Sequence, residues 1–273
     1  MEKTLSFIGG GNMGGAILRA ACRALPPDQV LLYDPDAEKA EALSAETGCA
    51  LAPSGEAAVR SAKYVMLCVK PQIFDGVLSG LLPALKEGLA AGEDRTVASI
   101  AAGVTLSAIE TLLGGVEVPL VRIMPNTPAA IGKGTLLVAA GRGAAGQRLE
   151  GLMQALAPCG LLVPVTEAQL DQGTAVSGCG PAYVCLFIEA LADGGVEIGL
   201  PRAMAQELAA QTVLGAAAMV LESGQHPGAL KDAVCSPGGS TIAGVAELEK
   251  RGFRAAAAQA VVRAWSRNQQ LGK

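Results

Sequence analysis

Five glycines fall within "FIGGGNMGGAI", residues 7–17, directly after the apolar-leaning stretch "TLSF". A flexible turn between an apparent first strand and a helix constrains this chain more than any other feature in it. Gly9, Gly11 and Gly14 keep a G-x-G-x-x-G spacing, with Asn12 and Met13 between the last two. In a strand–turn–helix setting the first glycine permits the tight turn, the second lets main chain approach a diphosphate, and the third lets helix and sheet close together. The free N–H groups of the helix start then face an anion. Asp34 ends the second expected strand, 20 residues after Gly14, where a carboxylate accepts from the hydroxyls of an adenosine ribose. Such a carboxylate suits a 2′-hydroxyl and repels a 2′-phosphate. No arginine occurs at 34–38, and Lys39 is a distant cation on sequence alone. The local chemistry therefore favours NADH over NADPH.

Strand-like runs at Leu5–Ile8, Val30–Tyr33, Tyr64–Val69, Thr96–Ile100, Val118–Met124, Thr135–Ala139 and Leu161–Val165 alternate with helical stretches. Those stretches are Ala16–Ala24, Ala37–Ala45, Glu56–Ala62, Phe74–Lys86, Leu106–Leu113 and Ala145–Leu156. The rhythm predicts an α/β, Rossmann-like doubly wound parallel sheet over residues 1–166. Runs such as "YVMLCV" are apolar throughout, as strands covered on both faces are. From 167 to 273 the pattern is all helical, with Pro181 and Pro201 at first-turn positions and later helices over Ile242–Lys250 and Phe253–Gln270. The helix opening at Pro201 carries Met204, Leu208, Leu214 and Met219 among alanines and has little polar surface. A helix apolar nearly all round must be buried. An intimate dimer is the expectation, and a helix internal to the monomer is the alternative.

Composition removes several classes. A net charge of −4 with a pI near 5.2 gives no basic face for nucleic acid. Mean hydropathy is +0.39, yet the longest uncharged run, residues 172–188, is short and broken by Gly173, Gly178, Gly180 and Pro181, so no bilayer span is expected. The first residues run straight into a strand without a charged leader, which is not the pattern of a secretory signal. Seven irregularly spaced cysteines without a CxxC pair read as reduced side chains of a cytoplasmic protein. His226 is the sole histidine, which excludes a histidine-rich metal site.

Three further stretches end strands on the side where open α/β sheets bind ligands. "CVKPQ" offers Val69, Lys70 and Pro71 to the cofactor, "SIAAGV" places small Ala101, Ala102 and Gly103 where a flat ring must pass, and "RIMPNTPAAIGKG" holds Asn126 between prolines. A solvated Lys70 and a turn-forming Asn126 are the plainer readings. Near the other terminus, "SPGGST" runs into a helix beginning near Thr241. Gly238 and Gly239 expose backbone N–H groups there, Ser240 and Thr241 add hydroxyls, and Ser236 shapes the turn. The result is a small cradle for a carboxylate, unless Ser240 or Thr241 serves only as a helix cap.

With "FIGGGNMGGAI", "CVKPQ", "SIAAGV", "MPNTPAAIGKG", "SGCGPAY", "AAQTVLGAAAMV" and "HPGALKDAVCSPGGSTIAGVAELEKRGFR" in this order, the chain resembles pyrroline-5-carboxylate reductases along essentially its whole length. The resemblance implies a Rossmann domain, a helical dimerisation domain, and reduction of (S)-1-pyrroline-5-carboxylate to L-proline by NAD(P)H, the last step of proline biosynthesis. It also implies homodimers interlocked through the helices, commonly built into decamers, with each site between one protomer's cofactor and its partner's SPGGST turn. Two departures stand out. Cys179 replaces the middle serine of the usual SGSGPAY, and "YDPDAEK" with "PSGE" replaces the polar or basic residues common on the adenosine side.

Hydride transfer to a cyclic imine asks mainly for positioning, because the imine nitrogen is basic enough to be partly protonated near neutral pH. Substrate binding falls to Ser236, Gly238, Gly239, Ser240 and Thr241, and the Thr241 hydroxyl is the catalytic candidate, bonding the ring nitrogen. His226, just before Pro227-Gly228, reads as structural. A β-hydroxyacid dehydrogenase shares the glycine turn but needs a lysine on a long helix, and residues 181–199 and 202–222 contain none. A non-catalytic dinucleotide sensor would have no use for the SPGGST turn.

Overall fold

The computed structural model describes residues 3–271. Its first unit is built on β1 (Lys3–Ile8), β2 (Val30–Tyr33), β3 (Ala50–Leu51), β4 (Ala62–Leu67), β5 (Thr96–Ser99), β6 (Leu120–Met124), β7 (Gly134–Ala140) and β8 (Gly160–Pro164). These strands form one sheet in the order β3-β2-β1-β4-β5-β6-β7-β8. Strand β1 pairs in parallel with both β2 and β4, so the chain leaves it in two directions. The crevice at that switch point, above the C-terminal ends of β1 and β4, is where such sheets take a ligand.

Two features differ from the sequence expectation. Strand β3 adds a short outer member beyond the seven expected, and β7 runs antiparallel to β6, with Met124 opposite Leu137. The reason is length. A parallel return needs a crossover of a dozen or more residues, and only residues 125–133, containing the 3-10 turn Thr127–Ile131, join this pair.

The helices of this unit are α1 (Asn12–Ala24), α2 (Ala37–Thr47), α3 (Gly55–Ser61), α4 (Pro71–Ala90), α5 (Leu106–Leu113), α6 (Gln147–Leu156) and α7 (Glu167–Gly173). Side-chain alternation along the strands supplies two cores, one per sheet face. Leu5, Phe7, Ile17, Leu18, Met66 and Leu152 fill one. Ile8, Val65, Leu67, Phe74, Leu78 and Ile109 fill the other. Local signals fix the helix ends. The Asp36 side chain caps α2 and left-handed Gly48 stops it, and Thr105 and Gly114 do the same for α5.

Arg122 on β6 ties α7 to the sheet. Its side chain is 5% exposed and donates to Glu167 Oε1 at 2.9 Å and to Asp171 Oδ1 at 2.8 Å. Glu167 Oε1 also accepts the Leu106 N–H at 2.7 Å, which links α5 to the same network. Replacing Arg122 by methionine strands two carboxylates against the sheet. With those carboxylates about a third exposed, solvent screens part of the penalty, and the expected loss of unfolding free energy is about 2–4 kcal/mol. Urea denaturation reads it, and a loss under ~0.5 kcal/mol would show that the network carries no structural weight.

The second compact unit spans Cys179–Ala264, and the first takes the chain up to Gly178 together with the segment from Trp265. The second is all helical, with α8 (Gly180–Glu197), α9 (Arg202–Ser223), α10 (Pro227–Ala233), α11 (Ser240–Lys250) and most of α12 (Phe253–Leu271). Pro181 lies in the first turn of α8, whereas Pro201 is the residue before α9 rather than inside it. Helices α8 and α9 close on one another around Ala192, Ala205 and Ala209. Beyond that small contact their apolar side chains lie open, Leu186 at 67%, Leu221 at 79% and Leu214 at 57%. The glycines at 173–180 do not stop the helical run either. A π-turn at Thr174–Gly178 carries it on, and Glu167–Glu197 and Arg202–Ser223 are each long and apolar enough to cross a membrane.

Candidate active site

At the tip of β1 the chain turns on residues that have no room for a side chain. Gly9 has φ +104°, and a Cβ there would lie 2.7 Å from the Cys68 carbonyl oxygen. A Cβ on Gly14 would lie 2.4 Å from the Gly9 carbonyl oxygen and 2.8 Å from Cys68 Cβ. Gly11 is different, because nothing lies within 4 Å of the Cβ position. It is the N-cap of α1, and no side chain bonds the amides of the first turn. Helix α1 starts at Asn12, earlier than the expected Ala16, so these amides sit on the glycine turn itself. Exposed Gly11 and Asn12 with half-buried Met13 thus leave an open cradle for a diphosphate. Burial pushes the Cys68 thiol well up, so the sulfur beneath the turn is neutral.

Asp34 stands beside the turn. Its Oδ2 accepts the Gly10 N–H at 2.7 Å and its Oδ1 the Asp36 N–H at 3.0 Å. Lys39, distant on sequence grounds, comes to 3.7 Å from Asp34 Oδ1 and 3.2 Å from Asp36 Oδ2. The first turn of α2 folds it back.

Farther along the sheet edge, β4 ends at Leu67, and Lys70, exposed, is the extended residue before α4, with Pro71 in its first turn. Val69 is half-buried against the core beneath. Ala101 is buried, its N–H held by Ser99 Oγ, while Ala102 and Gly103 are exposed and offer no side-chain obstacle. Asn126 is buried, and its carboxamide is largely spoken for. Nδ2 donates to the Ser177 carbonyl at 2.9 Å, and Oδ1 accepts the Thr135 N–H at 2.8 Å. The geometry makes it a clamp across the β6–β7 connection, with one N–H left over.

In the second unit, His226 Nδ1 accepts the Gly228 N–H at 3.0 Å and caps α10. The structural role expected of it has an atomic basis. The chain then turns through Ser236–Gly239, with Gly238 at φ +68°, and the Gly239 N–H, expected to be free for a carboxylate, instead closes the turn on the Ser236 carbonyl at 3.0 Å. A Cβ on Gly239 would meet Ser236 Oγ at 2.4 Å, so Ser236 and Gly239 shape each other. Helix α11 begins at Ser240 with Gly239 as N-cap, and no side chain caps it. Capping by Ser240 or Thr241 is therefore not the use of those hydroxyls. Both residues are exposed, as are Ser236 and Gly238. Sequence reading did not single out Lys231 and Arg254. Lys231 lies close enough to feel both Cys235 and Arg254, its ammonium pKa raised chiefly by Asp232. Each cation is paired with a carboxylate next to it, Lys231 with Asp232 and Arg254 with Glu249, and the clustering of basic residues in "ALKDAVCSPGGST…KRGFR" was their only signal. Cys179 precedes α8 without capping it. Burial first, then the Cys179 thiol, raises the neighbouring Tyr183 phenol.

Comparison with known proteins bears on both ends of the chain. Residues 167–271 match a family model described as pyrroline-5-carboxylate reductase dimerisation, and residues 4–103 match one described as NADP oxidoreductase, coenzyme F420-dependent. The chain is 43% identical to the pyrroline-5-carboxylate reductase of Synechocystis and 41% identical to that of Escherichia coli, each over the full length of both chains. The chain belongs to the pyrroline-5-carboxylate reductase family. The crystal structure of the Coxiella burnetii pyrroline-5-carboxylate reductase matches with a TM-score of 0.91 at 31% identity over all of both chains. That of a Plasmodium falciparum pyrroline carboxylate reductase with NADP bound matches with a TM-score of 0.85 at 32% identity, covering 99% of this chain and 98% of that one. Pyrroline-5-carboxylate reductases thus account for the glycine turn and the helical region together, where the glycine turn alone fits many dehydrogenases.

Proposed function

We propose that the chain reduces (S)-1-pyrroline-5-carboxylate to L-proline with NADH or NADPH, as the final step of proline biosynthesis. Full-length similarity to reductases of that name supports the reading most directly. Two local features fit it: an uncapped helix start at Gly11, suited to the cofactor diphosphate, and a second at Gly239, suited to a carboxylate.

When bound, the reduced nicotinamide would supply a hydride to the imine carbon, position 2 of the pyrroline ring and C5 of the proline formed. The protein's share is positioning. Amides of Ser240 and Thr241 hold the substrate carboxylate, and Gly238 and Gly239 shape the turn before them. The Thr241 hydroxyl donates to the ring nitrogen as charge shifts there. Gly9, Gly11, Asn12, Met13 and Gly14 take the diphosphate, Asp34 the adenosine ribose, and Val69, Lys70, Pro71, Ala101, Ala102 and Gly103 line the way to the nicotinamide. Asn126 keeps the β6–β7 connection in place beside them. His226 spends an imidazole nitrogen on a helix cap, and α8 and α9 contain no lysine. The chemistry rests on the basicity of the imine.

The assembly is a homo-oligomer, a dimer at least. Exposed Leu186, Leu191, Leu208, Leu214, Met219 and Leu221 on α8 and α9 fit faces that a second copy covers. We read them as subunit interface in a cytoplasmic enzyme rather than as bilayer spans, with decamers as the larger form and no nucleic-acid partner. Each site then joins one protomer's cofactor to its partner's 236–241 turn.

The deciding assay combines purified protein, pyrroline-5-carboxylate and each reduced nucleotide, following nicotinamide oxidation and proline formation together. Stoichiometric proline is the expected outcome. No turnover of the cyclic imine with either nucleotide would overturn the assignment.

A further inference from the structure

The corner after β2 holds more charge than a ribose-binding aspartate alone. Asp34 is fixed there, 8% exposed, with one backbone N–H on each oxygen. Two residues later Asp36 stands half in solvent, 53% exposed. Its Oδ1 accepts the Lys39 N–H at 3.2 Å, and its Oδ2 pairs with Lys39 Nζ at 3.2 Å. The first turn of α2 would otherwise be a ready anion site, and Asp36 fills it with the protein's own carboxylate. The Lys39 backbone N–H, then its ammonium, lower the Asp36 pKa, so the group is ionised at neutral pH. Two carboxylates thus share one ammonium, and the corner keeps a net negative charge.

We propose that Asp36 is a specificity-determining residue that disfavours a 2′-phosphate at the adenosine ribose, and that Lys39 keeps this exclusion partial. The proposal rests on the reading of the glycine turn as the NAD(P)H site. A 2′-hydroxyl is a donor and is served by fixed Asp34. A 2′-phosphate carries about −1.5 to −2 charges at neutral pH and meets Asp34, Asp36 and the already-occupied amide of α2, with only Lys39 in its favour. Removing the Asp36 charge while keeping the cap leaves Asp34 and Lys39 as a balanced pair, with Glu38 in the same turn unchanged. Removing Lys39 leaves both carboxylates unopposed.

The test measures equilibrium binding of NADH and NADPH to the full-length protein, without substrate, by calorimetry. Asn and Ser both cap helices well, so Asp36→Asn and Asp36→Ser keep α2 closed. Each is expected to tighten NADPH about tenfold while NADH moves by less than about twofold, with the difference shrinking as salt is raised. Lys39→Gln is expected to weaken NADPH about five- to tenfold. A purely structural role for Asp36 would move both nucleotides together or neither. An NADPH-to-NADH ratio unchanged in both Asp36 variants overturns the proposal, whereas failure of the wild-type protein to bind either nucleotide would instead overturn the assignment of the glycine turn.

Discussion

Replacing Thr241 by alanine is expected to lower kcat/KM for the cyclic imine by ~10- to 1000-fold and to leave NADH affinity unchanged. The clarity of this result comes from the local structure. Thr241 is the second residue of α11, exposed, in a helix whose start no side chain caps. Its hydroxyl is not a cap, and alanine is the best helix former. The variant therefore keeps its fold, and what is lost is an interaction with substrate. Serine at the same position restores the hydroxyl and should recover most of the rate. Wild-type turnover in Thr241→Ala would remove the residue from the mechanism.

A paired substitution at the glycine turn, the anion site we propose for the cofactor, separates folding from binding. In Gly14→Ala the new Cβ lies 2.4 Å from the Gly9 carbonyl oxygen, a contact that side-chain motion cannot relieve because the obstacle is backbone. Helix α1 must shift away from the turn, and we expect a stability loss of about 1–3 kcal/mol together with loss of measurable NADH binding. Gly11→Ala puts its Cβ into open space at φ −63°. Its melting temperature should match wild type, yet its Cβ stands where main chain must approach the diphosphate, so NADH binding should weaken at least ~10-fold. Equal melting temperatures for wild type and Gly14→Ala would contradict the packing described for the turn. Unimpaired NADH binding by Gly11→Ala would contradict its role as the cradle.

Much of the first unit is legible locally. Val30–Tyr33 and Leu106–Leu113 appear with the residue bounds that pattern and capping suggest, because each is flanked by its own stop signals. The start of α1 was obscured because Gly14 and Gly15 are poor helix formers, and only packing against the sheet makes them helical. Strand β3 is two residues long and has no period to detect. The reversal at β7 follows from a short connection whose consequence becomes visible only once β6 has a place in the sheet.

The candidate site divides the same way. Asp34, the glycines and the 236–241 turn are marked by spacing along the chain. Their partners are not. Lys39 reaches Asp34 only because α2 curls back at once, and the bonds of Asn126 to Ser177 and of Arg122 to Glu167 and Asp171 span separations with no local signature. Lys231 and Arg254 lie inside the 225–254 motif, yet their charges alone do not show that each pairs with a neighbouring carboxylate, Asp232 and Glu249.

The two amide contacts of Asp34 limit how nucleotide preference can drift in this protein. The carboxylate we propose for the ribose also braces the loop we propose for the diphosphate, through the Gly10 N–H. A change at this position that admitted a different coenzyme would loosen the grip on every coenzyme. Neighbouring Asp36 caps α2 and does not brace the glycine turn, so on our proposal Asp36 and Lys39 are the positions at which preference can vary without loosening that turn.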